Sequence, residues 1–215
     1  MLDYPPLEAD LDLIRSLVSR GDVHGELRNP HPEKPVSDSV KSRARPSAVL
    51  IPLVDAEQPK MIVTRRNPNI RFAGHVCFPG GTVDASDQSA IDTALRETEE
   101  EINLPRSNID VLGELGYYFT QAGYLITPIV GMVVSDYKAE VNPDEVDEIH
   151  EIPLHKVFEA GSYSLTWRPD GRGHYAFHHE QVRIAGPTVS LMINLYEYLL
   201  EHAGVSFERI VHANL

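Results

Sequence analysis

The sequence predicts an α/β fold with a mixed sheet held between helices, and three observations carry that expectation. Short apolar runs at residues 47–54, 61–66, 76–78, 109–119 and 125–134 have the length and composition of strands. Helical periodicity stands before, between and after them, at residues 11–18, over an acidic stretch around residue 97, and at 187–203. The 215 residues suffice for one domain with a sizeable core and a short extension.

Taken in order, Leu11, Leu13, Ile14, Leu17 and Val18 recur at helical spacing behind Glu8-Ala9-Asp10, which predicts a short amphipathic helix. Residues 20–46, rich in Gly, Pro, Ser and charge, read as a strap across the surface. Residues 1–46 are therefore expected to pack as a helix and strap on a domain spanning 47–215. Pro79-Gly80-Gly81, directly after Val76-Cys77-Phe78, reads as a tight turn at a strand end. Two further strands flank the turn at Gln121-Ala122-Gly123, and residues 145–154 form a late strand. Residues 156–159 open a short helix, and a hairpin is expected around Pro169-Asp170-Gly171. Pro187 suits the first turn of the last helix, where Val189, Met192, Ile193, Tyr196, Leu199 and Leu200 form one apolar stripe and Leu191, Leu195 and Tyr198 a second. Burial within the domain is the expected fate of both, with a homodimer contact as the alternative.

The run Arg96-Glu97-Thr98-Glu99-Glu100-Glu101 carries the chemistry. On a helix, Glu97, Glu100 and Glu101 stand at i, i+3 and i+4 and project from one face, where like charges repel. A solvated acidic face is the ordinary reading of such a run. The glycine pair fifteen positions upstream argues for more, because backbone without side chains approaches a bound ion or phosphate closely. A hard divalent cation such as Mg²⁺ suits this oxygen-only set, and it favours carboxylates, waters and substrate phosphates together.

Composition excludes several classes. A net charge of −13 disfavours a general nucleic-acid surface. The stretch from residue 41 to 71 nonetheless holds seven Lys and Arg against Asp55 and Glu57, a place to catch an anionic substrate. The single Cys77 rules out an internal disulfide and a cysteine-based zinc site. Ten histidines raise zinc, but His178 and His179 alternate across a strand and no helical His pair supports them, so a zinc site is not expected. No run approaches a membrane span and no secretory signal stands at the N-terminus, so a cytoplasmic location is the expectation.

The segment from Gly81 to Leu104 resembles the Nudix box, G-x5-E-x7-R-E-U-x-E-E-x-G-U, where U is a bulky aliphatic. Arg96, Glu97, Glu100, Glu101 and Leu104 fall on motif positions, while Thr98 replaces an aliphatic and Asn103 the second Gly. Asn is the next choice after Gly for a left-handed helix cap. Fourteen residues, not thirteen, separate Gly81 from Arg96, and no Glu occupies the first acidic position, with Asp87 and Gln88 nearest. Those departures resemble the coenzyme A pyrophosphatase branch of the family, as do Thr93-Ala94-Leu95-Arg96-Glu97 and the upstream Ile62-Val63-Thr64-Arg65-Arg66-Asn67, Arg71, Gly74 and Phe78-Pro79-Gly80-Gly81. In that upstream signature Asn67 stands for Ser, and two residues instead of three separate Arg71 from Gly74. Gly186-Pro187-Thr188 after Ile184 is similar to a late segment of the same branch.

The resemblance implies an α/β/α sandwich and a phosphoanhydride hydrolase that uses Mg²⁺ or Mn²⁺. By motif position Glu97 and Glu101 are metal ligands, Glu100 a further ligand or the base for the water, and the Gly80 or Gly81 carbonyl completes the sphere. Arg96 orients a motif carboxylate. The base alternatively lies in a later acidic loop, where Glu145 and Glu148 are candidates. Arg65, Arg66, Arg71 and Gly81 are expected to meet the substrate, a nucleoside diphosphate derivative. Coenzyme A or an acyl-CoA leads, with ADP-ribose, nucleotide sugars or dinucleoside polyphosphates as the alternative and a non-catalytic nucleotide sensor as a different class.

Overall fold

A computed structural model describes residues 2–21 and 25–208 of the chain, so residues 22–24 of the strap lie outside the described residues. Helix α1 (Leu11–Val18) is capped by Asp10, whose carboxylate accepts from the Asp12 and Leu13 N–H groups. A four-residue helix, α2 (Asp38–Lys41), follows in the strap. The strands β1 (Arg45–Val54), β2 (Lys60–Arg66), β3 (Val76–Cys77) and β4 (Gly80–Thr82) lead to helix α3 (Ala90–Ile102). Then come β5 (Ile109–Glu114), β6 (Tyr118–Phe119), β7 (Tyr124–Val133), β8 (Val146–Pro153) and the short helix α4 (Leu154–Val157). The chain closes through β9 (Tyr163–Trp167), β10 (Gly173–His179), β11 (Val182–Ala185) and helix α5 (Pro187–His202).

Strand β1 is the axis of an eight-stranded mixed sheet. It runs parallel to β7 over its whole length, from Arg45 opposite Tyr124 to Val54 opposite Val133. Antiparallel partners share its other edge: β4 beside Ser47 to Val49, and β2 beside Leu53 and Val54. Beyond β2 lie β3 and β8, and beyond β7 lie β5 and β6. Alternation along β1 then sorts its side chains. Ala48, Leu50 and Val54 enter one core with Ala94 and Ile102 of α3. Ile51 and Leu53 enter another with Ile14 and Leu17 of α1 and the apolar residues of α5. Each fully buried Leu or Ile contributes about 1.5–3 kcal/mol relative to exposure, and the sheet buries both faces in this way. The result is the expected α/β/α sandwich, with a small antiparallel sheet, β11-β10-β9, added on the α5 side.

Both apolar stripes of α5 are buried within the chain. The same helix buries Asn194 and Glu197, which apolar periodicity does not predict, and the strap is their partner. Tyr4 Oη and Arg28 Nη2 donate to the Glu197 carboxylate, and Asn194 Nδ2 donates to the Arg28 carbonyl at 2.8 Å. Further along, buried His31 accepts the Tyr175 N–H at Nδ1 (3.0 Å), which makes its Nε2 the donor to the Gly186 carbonyl at 3.3 Å. A buried charge left alone is expensive, so these bonds fix the strap to the domain.

Candidate active site

Pro79-Gly80-Gly81 is more than the expected turn. Gly80 and Gly81 lie in strand β4, hydrogen-bonded against Val49 and Ala48 of β1. Gly80 has φ +152°, and a Cβ there would come within 2.4 Å of the Ala48 carbonyl oxygen. A Cβ on Gly81 would meet Oε1 of Glu97 at 2.4 Å. The glycines therefore permit one strand to press against β1 on one side and a carboxylate on the other. Turn statistics hide this, because glycine pairs occur in strands mainly where backbones or ligands approach closely.

Helix α3 presents its acids from a fixed frame. Ser89 caps its first turn through the Asp92 N–H (3.1 Å), and Asn103 ends it in the left-handed region at φ +50°. Thr98 buries its hydroxyl by donating to the Ala94 carbonyl at 2.7 Å, which reconciles a polar residue with an apolar position. Glu97 and Glu101, one turn apart, face inward; Glu101 is 1% exposed. The Gly80 N–H points at Glu101 Oε2 from 3.4 Å, and Arg66 Nη1 stands 3.5 Å from Oε1.

The third acid comes from the loop before β8. Carboxylate oxygens of Glu97, Glu101 and Glu145 all lie within 4.8 Å of one another, the one grouping of three or more metal-ligating side chains among the described residues. Asn67 holds that loop in place: its N–H donates to the Glu145 carbonyl at 2.9 Å and its side-chain amide to the Pro143 carbonyl. Asn142 N–H also donates to the Glu101 carbonyl at 2.9 Å, tying the loop to the end of α3. Burial pushes the Glu101 carboxyl up to about 8, with Arg66 opposing and Glu97 adding to the rise. Burial likewise raises Glu97, against the pull of Arg96.

The remaining sequence candidates are distributed around this cluster. Arg96 reaches Glu97 Oε1 at 3.0 Å, Glu100 Oε2 at 2.9 Å and the Thr82 carbonyl at 3.3 Å. Its strongest partner was not singled out from the sequence: Asp87 accepts from Nε at 2.8 Å and Nη2 at 3.0 Å, and its side chain is 2% exposed. Those bonds hold the Asp87 carboxyl far below the usual range. The signal was its place as the nearest acid to the missing first Glu of the motif. Glu100, whose side chain is half exposed, turns toward Arg96 and stands outside the three-carboxylate grouping. Glu148 is likewise outside it, its Oε2 engaged by Arg65 Nε and His150 Nε2 at 3.0 Å each. Of the basic residues, Arg65 is thus committed to Glu148, Arg66 joins the acid cluster, and Arg71 leans on Tyr124 at the rim (Nη1 to Oη 3.2 Å). What separates Glu145 from Glu148 is tertiary: only the turn ending at Val146 brings the first to α3.

The family model described as NUDIX domain matches residues 44–174. A Photorhabdus laumondii protein described as an uncharacterized Nudix hydrolase, NudL, is 39% identical over 174 residues, covering 79% of this chain and 91% of its own. NudL of Yersinia pestis is 39% identical over 176 residues, covering 79% and 88%. Among solved structures, the NUDIX domain of Shewanella oneidensis NrtR, complexed with ADP ribose, is similar at a TM-score of 0.49 and 18% identity over 76% of this chain and 93% of that one. With its family model spanning more than half its length, and relatives sharing 39% identity, the chain belongs to the Nudix hydrolases, enzymes that cleave pyrophosphate bonds in nucleoside diphosphate derivatives.

Proposed function

We propose that the protein hydrolyses the pyrophosphate bond of coenzyme A or an acyl derivative, giving phosphopantetheine and adenosine 3′,5′-bisphosphate, with Mg²⁺ or Mn²⁺ as the cation. The observation that carries the chemistry is the convergence of Glu97, Glu101 and Glu145 beside the Gly80-Gly81 strand. An oxygen-only donor set with one guanidinium nearby fits a hard divalent ion and not a soft one. Glu97, Glu101 and Glu145 would hold it, with the Gly80 carbonyl as a further donor. Such an ion, when bound, neutralises phosphoryl charge and makes a water nucleophilic near neutral pH.

The chain's own residues then have separable tasks. Arg96, fixed by Asp87, sets the direction of the Glu97 carboxylate where it packs against Gly81. Arg66, donating to the Arg71 carbonyl at 3.2 Å, places positive charge where the pyrophosphate oxygens gather. Glu100 adjoins the cluster on the same helix and is assigned as proton acceptor for the attacking water. Glu148 is the second candidate: it is engaged by Arg65 and His150 as Glu100 is by Arg96, but it lacks the motif position and the shared helix that Glu100 has.

Coenzyme A leads because of the fourteen-residue spacing, the Thr93 to Glu97 sequence and the upstream Arg65, Arg66, Arg71 and Gly74 pattern. The two-residue gap between Arg71 and Gly74 favours, as a second reading, another nucleoside diphosphate derivative such as ADP-ribose, a nucleotide sugar or a dinucleoside polyphosphate. Three converging carboxylates argue against a purely nucleotide-binding protein, because binding alone does not need a full hydrolytic metal cage. A panel of these compounds, incubated with protein and Mg²⁺ or Mn²⁺ and read by mass, tests the choice. Phosphopantetheine from coenzyme A at the highest kcat/KM supports it; a clear preference for ADP-ribose or a nucleotide sugar overturns it.

A further inference from the structure

Two guanidinium groups meet on one phenol at the rim of the site. Arg45 Nη2 donates to Tyr124 Oη at 2.6 Å and Arg71 Nη1 donates to the same oxygen at 3.2 Å. The Arg45 guanidinium carbon lies 4.5 Å from the Tyr124 ring centre and that of Arg71 lies 5.8 Å from it. Neither arginine has a carboxylate within ion-pair distance among the described residues, although the chain carries a net charge of −13. Arg65 and Arg66, by contrast, are both paired. Each of the two spends one of five N–H donors on Tyr124, and both side chains are exposed. Two cations side by side without a counter-charge repel each other, and an anion between them relieves that repulsion.

Position and neighbours narrow the anion. The Arg71 carbonyl accepts from Arg66 Nε, and Arg66 contacts Glu101, so a single guanidinium separates the Arg71 backbone from the acid cluster. Phe72, next in the chain, is 43% exposed, has φ +61°, rare for a residue with a bulky side chain, and carries Arg71 over its ring at 4.7 Å. An aromatic surface beside paired guanidinium forks is what a phosphorylated nucleoside uses, because the base stacks while the forks take the phosphate oxygens.

We propose that Arg45, Arg71 and Tyr124 form a subsite for a phosphate monoester on the nucleoside part of the substrate, separate from the pyrophosphate that is cleaved. This rests on the reading of the substrate as a nucleoside diphosphate derivative and deepens it: the enzyme selects substrates that carry an additional phosphate. Tyr124 is the pedestal that holds the two arginines together, and Arg45, which no motif marks, supplies half of the charge.

Equilibrium binding of adenosine 3′,5′-bisphosphate and of AMP, measured by calorimetry without divalent metal at low salt, tests it. The wild-type protein binds the bisphosphate at least about tenfold more tightly, the size of one charge-assisted contact or more. That ratio should fall toward one in Arg45→Ala and Arg71→Ala, fall partly in Tyr124→Phe, and persist in Arg172→Ala, an exposed arginine paired with Asp170 in another part of the fold; melting curves check that each variant is folded. Equal binding of the two ligands by wild type, or an unchanged ratio in folded Arg45→Ala, overturns the subsite. Coenzyme A hydrolysis is scored separately. Turnover of coenzyme A without a bisphosphate preference refutes the subsite and leaves the proposed function standing. A preference that collapses in Arg45→Ala, in protein that does not cleave coenzyme A, supports the subsite and refutes that substrate.

Discussion

Glu101→Gln should make the metal-free protein more stable at high pH while abolishing turnover, a pairing that follows from one buried carboxylate. The group ionises near 4.5 in an ordinary setting and near 8 in the fold, where burial raises it. Between those values the folded protein keeps a proton that the unfolded chain has released, so stability is full below about 4.5 and falls as pH rises toward 8. At about 1.4 kcal/mol per pKa unit the upper limit is on the order of 4 kcal/mol near pH 8. Glutamine keeps an acceptor for the Gly80 N–H but loses the charged contact with Arg66, which reduces the net gain to about 1–3 kcal/mol. For a chain of this size that is roughly 3–10 °C in Tm. The assay is a melting curve of both proteins in EDTA at about pH 5 and pH 8, with and without added Mg²⁺. Glu101→Gln should gain at pH 8, gain little at pH 5, and lose the Mg²⁺-induced rise that wild type shows. An unchanged or lower Tm at pH 8, with turnover retained, refutes the reasoning.

Three other perturbations follow from the geometry. Gly81→Ala places a methyl group on the Glu97 carboxylate, so kcat should fall at least about tenfold by displacement of a ligand; steady-state kinetics showing wild-type kcat contradicts it. Asp87→Asn removes the acid that fixes Arg96, which keeps Glu97 and Glu100 as partners, and should lower stability by about 1–3 kcal/mol together with kcat, whereas Glu148→Gln, at a half-exposed pair, should leave the melting curve almost unmoved. Asn67→Ala removes the side-chain amide bond to Pro143, keeps the backbone bond to Glu145, and by loosening the loop should raise the cation concentration needed for half-maximal rate with little change at saturation; an unchanged cation dependence removes the Asn67 side chain from that role.

Much of the fold was legible because its elements obey their own periodicities. Strands β1 and β2, helices α1, α3 and α5, and the left-handed cap at Asn103 all follow from local pattern. Strand β4 did not, since a Gly-Gly pair carries no apolar signal and its strand character comes from packing on β1. The long first segment of the 109–119 run was read as one strand, but a bulge between Val111 and Gly113 and the left-handed Gly116 divide it into β5 and β6. Strand β11, four residues with one polar insertion, falls below the length at which alternation is visible. In the site, helical spacing brings Glu97, Glu100 and Glu101 to one face, and motif position picks out Glu97 and Glu101 among them. Their third companion, Glu145, was legible only as a candidate base, because it is forty-four positions from Glu101 and reaches it through backbone bonds of Asn67 and Asn142 that no local pattern encodes. Asp87 belongs to the same category: its importance lies in a bidentate contact with Arg96 across the loop before α3.

The most direct test of a divalent cation held by Glu97, Glu101 and Glu145 is Mn²⁺ binding followed by electron paramagnetic resonance, with diphosphate hydrolysis measured on the same samples. Wild type should bind Mn²⁺ and show no turnover in EDTA. Glu97→Gln and Glu145→Gln should each weaken binding at least about tenfold, the size expected for losing one charged ligand, while Glu100→Gln should bind Mn²⁺ nearly as wild type does and lose kcat. Undiminished Mn²⁺ affinity in both Glu97→Gln and Glu145→Gln, or steady hydrolysis in EDTA, would contradict the assignment.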